Sequence, residues 1–299
     1  MNPITLEKGV SLIDIEQLKI NALESVNTKG GSLVGMDLSD IDLTGRSFSG
    51  ANLRGVDFSN SKLNGCDFSN ADLTDANLTG ACLSGAYLVG AILINAKLTK
   101  ASFNKATLNG IEMWNLNWDE ADWRGGIFEN TVFAGMQLVN VDFSGCNFHS
   151  SDFTGAIIDN VNFYKANLTG VDFNLVSLGV ANLSRVNFEG AKLDGVDFTK
   201  TKMGFSNFRE ASMREANLRG TKLTNSILIG ADMGGANLNA ADISDCLLQE
   251  DLRLYGFTAD DSDSKPKLLA VNLREADLRG LISVGVSWNG VSRYNALEY

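Results

Sequence analysis

Residues 71–90 read ADLTD-ANLTG-ACLSG-AYLVG, and the stretch sets the register for most of the chain. Leu73, Leu78, Leu83 and Leu88 recur every fifth residue, and Ala71, Ala76, Ala81 and Ala86 stand two places before them. Followed outward, the large-residue column runs from Leu33 to Leu248 without a gap, and (248−33)/5+1 gives 44 members. Every member is Leu, Phe, Met, Trp or Ile; the rarer ones are Met113, Trp118, Trp123, Ile158, Met203, Met213, Met233 and Ile243. The earlier column stays small or modest (Val56, Ser61, Cys66, Ala91, Cys246), with Arg46 as its charged exception. Asp or Asn is common just before the large residue, as at Asp37, Asp42, Asn52, Asp57 and Asp67. Ser or Thr often follows it, and then Gly or Asn.

A period of five matches neither a 3.6-residue helix nor a 2-residue strand. It matches a chain that turns a corner every five residues. The large residue and the small one two before it point inward, and the other three face water. A small second inward residue lets facing walls approach without overpacking. Gly and Asn suit the backbone angles that corners require.

Ala71-Asp72-Leu73-Thr74-Asp75 and Ala216-Asn217-Leu218-Arg219-Gly220 match A(D/N)LXX outright, and the chain resembles the pentapeptide-repeat family over residues 31–248 and again at Val271–Gly280. The resemblance implies an all-β fold, a right-handed quadrilateral parallel β-helix with four pentads per coil. Forty-four pentads then make about eleven coils plus terminal caps, a stack of roughly 53 Å at about 4.8 Å per coil.

Solenoid ends need capping because stacked coils leave open edges. Residues 1–30 are expected to form the N-terminal cap segment, with Leu12, Ile15, Leu18 and Leu23 as a partial helical stripe. Residues 31–248 are the solenoid. Residues 249–270, with Asp251, Asp260, Asp261, Asp263 and Pro266, read as an acidic loop that interrupts it. Residues 271–299 hold the final repeats and the C-terminal cap, and Leu273 returns in the same register.

The composition narrows function. The formal net charge of −11 opposes direct binding to nucleic acid or an anionic membrane surface, and 44% hydrophobic content supplies a core. No apolar run approaches the length of a transmembrane helix, and Met1–Val26 has no signal-peptide pattern. The four cysteines lack metal or redox spacing, which places the protein in a reducing cytoplasm. A secreted effector with an uncleaved signal fits the same composition. Cys66, Cys146 and Cys246 occupy the small inward column, and Cys82 an outward one. The single histidine, His149, falls on the outside. Asp260–Lys265 is not a calcium loop: Lys265 stands where the central Gly belongs and no Glu closes it. No catalytic, cofactor-binding or metal-binding constellation emerges, so an enzyme is not expected.

The outward columns are more informative. Tyr87, Val89, Ile92, Ile94, Trp114, Ile127 and Val132 replace polar residues on two faces that share a corner, a candidate site for a protein partner or a second copy of the chain. Ile227, Ile229 and Leu247 form a second apolar group, expected to pack under residues 249–270. The first functional reading is a non-enzymatic scaffold that presents the outer faces of a β-solenoid to a protein. The resemblance implies an alternative, since some family members mimic DNA and bind DNA gyrase or topoisomerase IV. A mimic needs acids along its length. Here acids gather early (Asp37, Asp40, Asp42, Asp57, Asp67, Asp72, Asp75), while Arg185, Lys200, Lys202, Arg209, Arg214, Arg219 and Lys222 follow later.

Overall fold

A computed structural model describes residues 29–113, 116, 120–248, 271–279 and most of 281–297, together with Gln17, Lys19–Asn21 and Leu23. The repeat folds as a right-handed quadrilateral β-helix. Two compact units share the chain, Met1–Gly126 and Ile127–Tyr299.

One pentad shows why the chain turns. In residues 51–55 (ANLRG), Ala51 N–H donates to Phe48 O at 2.9 Å and closes the preceding corner. Asn52 N–H donates down to Gly31 O at 2.8 Å, and Leu53 and Gly55 N–H donate up to Asp72 O and Thr74 O at 2.8 and 2.9 Å. The remaining donor, Arg54 N–H, goes to Asn52 Oδ1 at 3.3 Å. All five backbone donors are therefore satisfied, four by backbone and one by the Asp/Asn column. The same side-chain cap recurs, at 3.0 Å from Thr74 N to Asp72 Oδ1 and at 2.8 Å from Thr154 N to Asp152 Oδ1. This Asx turn is the physical role of that column.

The last residue of the pentad takes a positive φ, as at Gly80 (68°) and Asn60 (56°), the signature of a type II turn at its third position. Gly80 meets a second demand, because a Cβ there would come 2.6 Å from Asn60 Oδ1. Val180 and Lys200 are exceptions without positive φ.

Each coil is twenty residues. In the first unit Ser32 pairs in parallel with Asn52, and Asn52 with Asp72. In the second unit the ladders lengthen into short strands. β1 (Gln137–Val139), β2 (Ile157–Asp159) and β4 (Ser177–Leu178) stack in one parallel sheet. β3 (Val161–Asn162), β5 (Ala181–Asn182) and β6 (Thr201–Lys202) stack in the next.

The large-residue column is buried from Leu33 to Leu248, including Phe143, Phe153 and Phe163 at 0% exposure, with one exception among the described residues. Leu178 is only half-buried. It lies beside the irregular corner where Val180 N–H donates to Asp159 Oδ1 at 2.9 Å. A Cβ on Gly179 would run into that same carboxylate. Trp118 lies outside the described residues.

Buried hydroxyls and thiols in the small column serve the corners. Ser61 Oγ donates to Leu38 O at 2.6 Å and accepts Ile41 N–H at 3.3 Å, so it bridges two coils at a corner. Ser151 and Ser206 repeat the arrangement, and Cys66 Sγ donates to Leu43 O at 3.0 Å.

At the N-terminal side, Gln17, Lys19, Ile20, Asn21 and Leu23 are helical. Leu23 is buried, and Lys19 Nζ reaches Asp37 Oδ1 and Ser39 O, each at 2.8 Å. Leu12, Ile15 and Leu18 lie outside the described residues, as do residues 249–270. The chain on either side of the latter behaves as an ordinary corner: Val271 N–H donates to Leu248 O at 2.9 Å, and Asn272 pairs with Asp232, forty positions away instead of twenty.

Candidate functional site

The cap column defines what is unusual on the surface. Where Asp or Asn gives way to another residue before the large one, the pentad gives up its own Asx hydrogen bond, worth about 0.5–1.5 kcal/mol. Tyr87, Ile92, Ile127 and Val132 all occupy this column.

In the first unit, Tyr87 and Val89 are exposed (53% and 40%), and Ile92 and Ile94, past the next corner, are half-buried. Along the stack, Tyr87 sits between Asp67 and Thr107, and Ile92 between Asp72 and Glu112. Tyr87 and Ile92 thus each have polar ladder neighbours in the coils on either side. In the second unit, Val132 is exposed (50%) beside Asp152, and Ile127 is half-buried beside Asn147. Trp114 lies outside the described residues. Of the other apolar group, Ile229 is buried and Leu247 is 55% exposed.

Burial pushes the Cys66 and Cys246 thiols up to about 11. Cys82 differs. Partial burial works to raise its thiol, but hydrogen bonds from Ser84 and Asn64 outweigh it and leave the value below the ordinary one. His149 is exposed and hydrogen-bonded to Ser150 Oγ at 3.3 Å. Many carboxylates among the described residues are occupied as caps. Thr44 hydrogen-bonds to Asp42 and Ser244 to Asp242, and both carboxyls lie below the usual range. Several acids of the early coils also hold cations: Asp37 pairs with Lys19, Asp42 with Lys62, and Asp72 and Asp75 with Arg54. Among the described residues no group of three His, Cys, Asp or Glu is placed to hold a metal ion. No helix among them is long and apolar enough to cross a membrane.

A second surface was not singled out by the sequence reading. Lys200, Lys202, Lys222 and Arg185 stood there only as cations scattered over the later coils. The twenty-residue coil brings them, with Lys165, onto one face of the second unit. The signal lies in the sequence as cations spaced by twenty, the coil length that four pentads imply.

The pentapeptide-repeat family model matches this chain in eight copies, over residues 37–75, 51–88, 71–110, 137–174, 181–220 and 216–250. No curated protein matches. Among solved structures, a trypsin-treated form of QnrB1, a plasmid-mediated fluoroquinolone resistance protein, is 17% identical with a TM-score of 0.36, over 85% of this chain and 90% of that one. HetL from the cyanobacterium Nostoc sp. strain PCC 7120, involved in heterocyst differentiation regulation, is 22% identical with a TM-score of 0.24, over 94% and 93%. A pentapeptide-repeat protein of the Arabidopsis thaliana thylakoid lumen is 26% identical with a TM-score of 0.22, over 44% and 74%. With the family model covering more than half of its length, and with its five-residue corners, Asx caps and twenty-residue coils, this chain belongs to the pentapeptide-repeat family.

Proposed function

We propose that the protein is a non-enzymatic interaction scaffold that presents the outer faces of its β-solenoid to a protein partner. One observation carries the reading. At Tyr87 and Ile92 the repeat exchanges its own capping Asx for an apolar side chain that faces outward, and Val89 and Ile94 extend the same group. Such an exchange forgoes a local hydrogen bond and gains a surface that a partner can dehydrate at roughly 25 cal/mol per Å² before binding costs. The partner-binding residues are Tyr87, Val89, Ile92 and Ile94 in the first unit and Ile127 and Val132 in the second.

The test restores the consensus. Tyr87→Asn with Ile92→Asp returns the caps, so the melting temperature is expected to hold or rise slightly. A partner captured from the source cell by the wild-type protein, and identified by mass spectrometry, is expected to be lost. Undiminished capture by the double variant would remove this surface from the proposal.

The second reading, DNA mimicry directed at gyrase or topoisomerase IV, predicts inhibition of gyrase supercoiling at low micromolar protein. Early acids favour it, but many of them are already paired with cations, and the second unit carries a four-coil strip without acids. We expect no inhibition. Inhibition that disappears when Asp37–Asp75 are neutralised would put mimicry first.

A further inference from the structure

One four-coil strip on a face of the second unit carries cations and no acids. It consists of residues 160–165 (NVNFYK), 180–185 (VANLSR), 200–205 (KTKMGF) and 220–225 (GTKLTN), stacked as four successive coils. Asn162 pairs with Asn182 and Asn182 with Lys202, while Phe205 N–H donates to Thr224 O at 2.9 Å and joins the fourth coil. Lys165, Arg185, Lys200, Lys202 and Lys222 are all exposed, and none forms an ion pair among the described residues. In a chain of net charge −11 this is a local inversion.

The strip is bounded. Asp142 is the backbone ladder neighbour of Asn162 at one end, and Asp242 that of Lys222 at the other, where the Ser244 hydrogen bonds and, behind them, the Lys222 charge help to hold the Asp242 carboxyl below its ordinary value. Four acids on the adjoining faces are engaged. Asp159 accepts Val180 N–H, Asp197 accepts Thr199 N–H, Glu189 accepts Asn207 Nδ2, and Glu210 pairs with Arg209.

Three features give the face more than charge. Two shallow clefts of about 210 and 410 Å³ lie on it and share Lys202; Lys200 lines the first and Lys222 the second, and no carboxylate lines either. The Arg185 guanidinium lies over the Phe205 ring at 4.6 Å, and Lys165 Nζ lies 5.3 Å from the Tyr164 ring centre. Stacking of this kind holds a guanidinium plane in place with its N–H edge available to a carboxylate. Phe205 occupies the positive-φ last position of its pentad, as at most other corners, and is 52% exposed, so its ring is open to a partner beside the Arg185 guanidinium.

We propose that this face binds a short acidic segment of a protein partner, about five or six residues long and rich in Asp and Glu. The inference rests on the scaffold reading and assigns a partner chemistry to a different surface. The length follows from the strip. Four coils at about 4.8 Å place the first and last backbones about 14 Å apart, and side chains reach beyond, against about 3.3 Å per residue of extended peptide. The bounding acids and the overall charge select a short segment over a nucleic acid, whose phosphates continue past both ends.

The experiment uses the full chain and a fluorescein-labelled (Asp-Glu)3 peptide, titrated by fluorescence anisotropy at about 50 mM salt, where exposed charges are weakly screened. The wild type is expected to bind. Lys202→Glu with Lys222→Glu is expected to weaken binding at least about tenfold, and Arg185→Lys, which keeps the charge and loses the plane, about threefold. Lys192→Glu, a reversal at a lysine paired with Asp172 on another face, is expected to change affinity less than about twofold. Lys202→Gln with Lys222→Gln gives a milder variant, and a melting curve checks that each one is folded. Absence of wild-type binding, or equal loss in Lys192→Glu, overturns the proposal. So does a labelled thymidine oligonucleotide that binds more tightly and is released by the same reversals. If the peptide fails to bind while the partner captured through the Tyr87 surface is retained, only this inference falls.

Discussion

The coils around residues 71–100 and those around residues 128–173 share one backbone and differ in what fills it. The first are lined by Leu73, Leu78, Leu83, Leu88, Leu93 and Leu98 over a floor of Ala71, Ala76, Ala81, Ala86, Ala91 and Ala96. The second are lined by Phe128, Phe133, Phe143, Phe148, Phe153, Phe163 and Phe173, with Thr131, Cys146, Ser151 and Val161 in the small column. In the aromatic stretch, rings one coil apart mostly stack, as Phe133 and Phe153 do at 4.7 Å and 6°, while Phe153 and Phe173 meet edge-on at 5.1 Å and 66°. Rings one corner apart meet edge-on, as Phe148 and Phe153 do at 5.4 Å and 70°. Yet the corner bond is the same in both, Ala76 N to Leu73 O at 3.0 Å and Ala156 N to Phe153 O at 2.9 Å. The ladder and the Asx cap shape the coil, and the interior then takes Leu or Phe.

That contrast is tested first where the effect is largest. Phe153→Ala is expected to cost about 3–5 kcal/mol, because it removes a ring stacked on Phe133 and edge-on to Phe148. Leu88→Ala, in the aliphatic stretch, is expected near the low end of about 2–5 kcal/mol. Chemical denaturation measures both; equal costs would show that ring stacking contributes nothing beyond burial.

The claim that caps shape both stretches alike is tested by Asp72→Ala and Asp152→Ala. Each is expected to cost about 1–2 kcal/mol, with Asn restoring most of it. The Asp72 carboxyl also makes an acid prediction. Partial burial works to raise its pKa, but hydrogen bonds from Thr74 and Arg54 outweigh this and hold it below the ordinary value. A folded pKa below the unfolded one means stabilisation that is present above the unfolded value, about 3.9, and lost as pH falls through the folded value. Stability is therefore expected to drop below about pH 4, and less steeply in Asp72→Asn. A pH series of thermal melts that shows no difference between the two proteins removes Asp72 from the acid transition.

Ser151→Ala makes an aromatic-stretch corner resemble its aliphatic counterparts. The hydroxyl donates to Phe128 O at 2.6 Å and accepts Thr131 N–H at 3.1 Å, but Thr131 N–H already reaches Phe128 O at 3.2 Å. The expected cost is therefore only about 1 kcal/mol by denaturant titration. A much larger loss would mean the aromatic coils depend on side-chain bridges that the Leu coils do without. The smallest effect concerns thiols. Of the four cysteines, Cys82 alone is expected to react with Ellman's reagent near pH 8 in the folded protein, since Cys66, Cys146 and Cys246 are buried. Cys82→Ser is expected to abolish that reactivity and leave stability nearly unchanged.

The amino-acid sequence by itself determined the five-residue corner, the two inward columns, and the return to register at Leu273, because these follow from side-chain size and backbone freedom within a single pentad. It also separated the inward cysteines from Cys82. Other features needed the coil. The Asp/Asn column was legible as a pattern, but its reason, a hydrogen bond to the donor two residues on, requires the folded turn. Leu178 fits the column and is still half-buried, because the corner beside it is rearranged around the Asp159 carboxylate. Tyr87 and Ile92 were legible as outward apolar residues, but their ladder neighbours, Asp67 and Thr107 for one and Asp72 and Glu112 for the other, are set by the stack. Arg185, Lys202 and Lys222 read as charges of the later coils, and the twenty-residue coil aligns them with Lys165. A pentad is a local object that its own residues decide; which pentads become neighbours depends on how many make a coil, and that is settled by hydrogen bonds between residues twenty apart.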